Sequence, residues 1–115
     1  MLPTKLSEFY ADTGPERVGF VLNNGKVVEV NNVCPDPENG FEVNPIDIIM
    51  HEEELVGVWH THPGASSNLS MDDHAGIKNW PNLTHYIIGK DGVRAYKVNA
   101  GSILIDDHGN SPRLS

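Results

Sequence analysis

The chain has 115 residues, 38% hydrophobic and 21% charged, which is the balance of an ordinary globular domain with room for one core. Sixteen acidic against eight basic residues give a formal net charge of −8, which excludes the clustered lysine and arginine surface that nucleic acid or an anionic membrane requires. No apolar run approaches the roughly 18 residues of a membrane span, and Met1 to Lys5 leads into no apolar signal region, so no membrane and no export are expected.

Leu2 to Tyr10 suits a short helix with Leu6, Phe9 and Tyr10 on its apolar side. Glu16 follows, in Gly14-Pro15-Glu16-Arg17-Val18-Gly19-Phe20, where that helix gives way to the first strand. Val18 to Leu22 and Lys26 to Val33 read as strands around Asn23-Asn24-Gly25, a hairpin signal because Asn-Gly tolerates positive φ. Cys34 to Gly40 is a loop containing Pro and Asp, and Phe41-Glu42-Val43 reads as a short strand. Asn44-Pro45 starts a helix through Ile46, Ile49 and Met50, with Glu52 to Glu54 solvated beyond it.

Leu55-Val56-Gly57-Val58-Trp59 is short and apolar, a buried strand running into His60. Pro63-Gly64 ends it, and Gly64 to Leu69 is a small, polar loop. Ser70 is a good helix N-cap, and Asp73, Gly76, Ile77 and Trp80 share a face of the helix that follows, until Pro81 stops it. His85 to Ile88 and Val93 to Val98 form a second hairpin around Gly89-Lys90-Asp91-Gly92, and Ile103-Leu104-Ile105 adds a strand. One domain over 1–105 and a polar tail over 106–115 are expected. The fold class is α/β (α+β), a mixed, curved β-sheet flanked by helices.

The chemistry is concentrated in Trp59-His60-Thr61-His62-Pro63 and in Ser70 and Asp73. Residues two apart on a strand share a face, so His60 and His62 project together while Trp59 and Thr61 face the other way. Ser70 as N-cap puts Asp73 at the third helical position, beside the end of the strand. Two imidazoles and a carboxylate are the three protein ligands of an open zinc site, with a fourth position left for water. Ser70-x-x-Asp73 is equally the pattern of a capping box, and an Asp there suits the helix dipole; capping and ligation are compatible. Glu16, upstream, offers the carboxylate that such a site needs as a base, while as an isolated glutamate it reads as a surface charge. Cys34 offers itself as a fourth ligand or a nucleophile, but reads as a small hydrophobe against the core. His51, His85 and His108 have no ligand-spaced neighbours and read as surface or packing histidines.

Glu16, then His60-x-His62, seven residues, Ser70, two residues and Asp73 resembles the JAMM (MPN-plus, JAB/Mov34-type) zinc metalloprotease motif in order and spacing. The Glu-x-x-Gly context of Glu16 and the Trp-His-Thr-His-Pro context of the histidines are similar as well, and the likeness runs over about residues 5 to 98. Short bacterial and phage tail-assembly forms are the most similar. The resemblance implies a JAMM/cytidine-deaminase-like sandwich and a Zn2+ enzyme cutting peptide or isopeptide bonds, often beside the C-terminus of a ubiquitin-like protein. It implies His60, His62 and Asp73 as zinc ligands, Glu16 as general base and Ser70 as stabiliser of the oxyanion. Expected partners are a protein or peptide substrate, ubiquitin-like or from a phage tail. The single cysteine suits a reducing cytoplasm, the host's if the chain is phage-encoded. Three alternatives stand beside this reading: release of an amino acid from a small carrier protein, a non-catalytic zinc-stabilised assembly module of a phage tail, and a metal-free binding domain.

Overall fold

In the computed structural model, which describes residues 6–99 and 102–105, the turn at Asn23-Asn24-Gly25 joins β1 (Val18–Leu22) to β2 (Val27–Val30). Gly25 takes a φ of 87°, a conformation that other residues adopt only at a cost, and this closes the hairpin. The remaining strands are β3 (Leu55–Thr61), β4 (Thr84–Gly89), β5 (Gly92–Asn99) and β6 (Ser102–Ile105). They form one sheet in the order β2-β1-β3-β4-β5-β6. All neighbours are antiparallel except β3 and β4. A parallel pair needs a crossover rather than a tight turn. Here the crossover carries helix α2 (Met71–Lys78). The mixed α+β architecture is the one expected from the sequence.

Alternation along the strands sorts the sheet into two faces. On one face Val21, Trp59 and Ile88 bury Leu6, which comes from a 3₁₀ turn at Leu6–Phe9. Trp59 is fully buried, stacks on Phe9 at 4.2 Å between ring centroids, and donates its indole N–H to the Val28 carbonyl. Gly19 lies opposite Trp59 in the ladder, and a Cβ there would run into the indole and the Val28 carbonyl. Its lack of a side chain is therefore a packing requirement. On the other face Ile87 and Tyr96 pack against Ile77 of α2. Val58 pairs with His85 and His60 with Ile87, so both histidines belong to this second face.

Several boundaries differ from the sequence reading. The N-terminal helix is the single 3₁₀ turn at Leu6–Phe9, with residues 1–5 outside the described ones. β2 ends at Val30, and residues 41–43 make one isolated bridge, Asn32 to Val43, in place of a strand. The reason is the Asn32 side chain. Its amide donates to the carbonyls of Glu16 and Gly40, and its oxygen accepts from the N–H groups of Cys34 and Glu42, so it supplies hydrogen bonds that a ladder would have made. Helix α2 ends at Lys78, with Asn79 as its C-cap, so Trp80 lies beyond it and Gly76 is exposed. A residue close before Pro81 is disfavoured in the helical region. In helix α1 (Pro45–His51) the Asn44 side chain caps the Ile46 N–H, while Ile46, Ile49 and Met50 are exposed. Residues 106–115 lie outside the described ones. Among the described residues no helix is long and apolar enough to cross a membrane.

Candidate metal centre

Strand β3 delivers His60 in a buried position, and His62 follows one residue beyond its end. The chain stays extended there because the His62 N–H still donates to the Ile88 carbonyl at 2.8 Å. Both rings therefore emerge on one side, with centroids 4.9 Å apart. Ser70 caps α2 through a reciprocal pair of bonds. Its Oγ accepts from the Asp73 N–H at 3.0 Å, and its own N–H donates to Asp73 Oδ2 at 3.1 Å. The cap aims the Asp73 carboxylate at the imidazoles, so the capping role is observed and is geometrically compatible with ligation.

The three donor groups meet closely. His60 Nε2 lies 3.1 Å from His62 Nε2 and 3.0 Å from Asp73 Oδ1, and His62 Nε2 lies 2.9 Å from Asp73 Oδ2. Among the described residues these three form the group able to hold a metal ion, one ligand atom from each within 4.8 Å of the others. Tetrahedral bonds of about 2.0–2.1 Å place ligand atoms roughly 3.3 Å apart, so the spacing suits a small tetrahedral cation. The His62 tautomer suits it too. Its Nδ1 sits 2.8 Å from the Ser66 carbonyl, which can only accept, so Nδ1 carries the proton and Nε2 keeps its lone pair for a metal.

Burial shapes the electrostatics. It pushes the Asp73 carboxyl up, but the imidazoles of His60 and His62 and the Ser70 N–H more than reverse this and hold it well below the usual carboxylate range. Burial dominates at His60 and lowers its pKa in spite of Asp73. Burial also opposes the protonated form of His62, yet Asp73, the Ser66 carbonyl and the Glu16 charge together raise it. The result is an ionised carboxylate between one imidazole, His60, favoured as neutral and another, His62, in which the protonated form is favoured.

Glu16 is half-buried just before β1. Its N–H donates to the Pro37 carbonyl at 2.7 Å, and its carbonyl accepts from the Asn32 amide at 2.8 Å. Glu16 lines one cavity together with His60, Ser70 and Asp73, outside the three-residue ligand group. Cys34, half-buried, lines the same cavity and is likewise outside that group.

Three neighbours of the site did not stand out in the sequence, and a fourth, His85, read only as a surface or packing histidine. Ser66 fixes the His62 tautomer, and Phe41 stacks on His60 at 4.4 Å between centroids. Asn32 anchors the backbone at Glu16. His85, only 7% exposed, lines the cavity, and burial lowers its pKa. Of these only Asn32 left a usable signal, a polar residue at the end of an apolar strand.

The family model described as prokaryotic homologs of the JAB domain matches residues 8–100. No curated protein matches. The solution structure of a protein from Desulfitobacterium hafniense is similar in fold, with a TM-score of 0.64 at 16% identity over 90% of this chain and 79% of that one.

Proposed function

The chain belongs to the prokaryotic homologs of the JAB domain, and on that footing we propose that it is a zinc-dependent metallopeptidase or isopeptidase. One observation carries the reading. Three ligand atoms converge within 4.8 Å, and the cavity that His60 and Asp73 line is also lined by Glu16 and Ser70. A zinc ion held by His60, His62 and Asp73 would supply a Lewis acid for the attacking water and the scissile carbonyl.

The chain's own groups supply the rest. Glu16 takes the proton of the attacking water and passes it to the departing amine. Ser70 Oγ accepts from the Asp73 N–H, which uses a lone pair and leaves the hydroxyl proton to donate. That proton meets the substrate oxygen as negative charge builds on it. Phe41, stacked on His60, and the Ser66 carbonyl, bonded to His62, keep both rings from turning. The substrate is a protein or peptide, ubiquitin-like or a phage tail component, and the site of action is the cytoplasm.

The test is metal analysis of the purified protein joined to a panel of linear and isopeptide-linked peptides, some ending in Gly-Gly. One zinc per chain and chelator-sensitive cleavage are expected. Zinc without cleavage of any member would leave a non-catalytic assembly module, and a protein that takes up no metal would leave a binding domain.

A further inference from the structure

His60, Asp73, Glu16 and Ser70 line part of a cavity of about 700 Å³, within the range of roughly 300–1,000 Å³ typical of ligand sites. Elsewhere its lining includes Phe20, Val58, Ile77, Trp80, Leu83 and His85, a largely apolar set that none of the proposed chemistry uses. His85 itself is buried. Its Nε2 lies 3.1 Å from the Trp80 carbonyl and must donate to it, so Nδ1 is an acceptor with no hydrogen bond among the described residues. A buried acceptor without a donor is costly, and an incoming N–H relieves it.

We propose that this part of the cavity is the subsite for a bulky apolar or aromatic side chain of the substrate, adjacent to the bond that is cut. The proposal rests on the metallopeptidase reading and narrows its substrate. The cavity is continuous with the ligand group, since His60 and Asp73 line it too. A side chain seated there thus belongs to a residue flanking the scissile bond. At roughly 30 Å³ per water, the cavity holds far more solvent than a glycine can displace. A phenyl-sized side chain removes much of it, which favours such substrates over glycine by roughly ten- to hundredfold.

The two tryptophans provide a readout that needs no turnover. Trp59 is fully buried on the opposite face, whereas Trp80 is 43% exposed and lines the cavity. N-acetyl-phenylalaninamide and N-acetyl-glycinamide are titrated into the zinc-loaded protein while tryptophan emission is followed. The phenylalanine probe should shift the emission to the blue and the glycine probe should not. Trp80→Phe should abolish the signal. Val58→Leu and Leu83→Phe, which fill the cavity from two sides, should each weaken the phenylalanine probe about tenfold or more. In parallel, peptides differing only in Phe, Leu or Gly beside the cleaved bond are compared by kcat/KM. Equal response to both probes, a signal that survives Trp80→Phe, or a shift that follows protein concentration alone overturns the subsite. Cleavage with no preference for Phe or Leu also overturns it and leaves the metallopeptidase reading standing. Selective binding of the phenylalanine probe with no cleavage of any peptide overturns that reading while keeping an apolar recognition pocket.

Discussion

Gly89→Ala is expected to weaken metal binding although Gly89 touches no ligand. A Cβ on Gly89 would fall into the backbone of Ser66 and Ser67. That loop cannot simply step aside. The Lys90 N–H donates to the Ala65 carbonyl, the Ser67 N–H donates to Asp91, and Arg94 and Tyr96 donate to Ser67 Oγ and its carbonyl. The displaced atom that matters is the Ser66 carbonyl, which accepts from His62 Nδ1 at 2.8 Å and fixes the tautomer. Losing such a partner typically costs about 10–100-fold in metal affinity, and crowding a packed site costs about 1–3 kcal/mol of stability. Chelator competition for zinc and a thermal melt read the two effects separately. Gly19→Ala is the control. It drives a Cβ into Trp59 and Val28 on the opposite face, so it should lower the Tm and leave zinc affinity nearly unchanged. Gly76→Ala, with open space around its Cβ in α2, should gain up to about 1 kcal/mol from helix propensity. If Gly89→Ala binds zinc as tightly as the wild type, the argument from Ser66 to His62 is wrong.

Single alanine replacements of His60, His62 and Asp73 should each lose most of the bound zinc, since two remaining ligands hold it poorly; full zinc content in all three would sink the ligand assignment. Ser70→Ala should cost about 1 kcal/mol through the lost cap and lower kcat ~10²-fold through the lost donor. Ser70→Asn should restore the cap alone, and if it restores turnover too, Ser70 is only a cap. Zinc affinity should rise with pH, because protons compete for the ligands. Asp73, held well below the usual range, stays ionised throughout, and His60, lowered by burial, competes only at acid pH. His62 is raised by Asp73, Ser66 and Glu16 against its burial, so it binds a proton first as pH falls. Affinity should therefore begin to drop above the ordinary histidine value of about 6.5, with one proton taken up; a flat profile down to pH ~5 contradicts this order.

The parts of the site set by local rules were legible in the sequence. Alternation along one strand put His60 and His62 on one side, and Ser70 announced the start of α2. Gly25 marked the first hairpin. What could not be read depended on contacts between distant segments. His85 joins the site only because β4 lies parallel to β3 in the register that sets it opposite Val58. Phe41 reaches His60 through the path of a loop, and that path depends on an asparagine side chain replacing ladder bonds. The end of α2 was misplaced because Trp80 fits the helical spacing, whereas the chain turns before Pro81.

The most direct test of the account is the turnover of Glu16→Gln beside its zinc content. Glu16 lies outside the ligand group, so the substitution should remove the proposed base and leave the metal site built. On a peptide or isopeptide that the wild type cleaves, turnover should fall by ~10²–10⁴-fold, with one zinc per chain and the wild-type Tm retained. Unchanged turnover would contradict the account, and loss of zinc along with activity would make Glu16 a ligand and require the three-residue site to be redrawn.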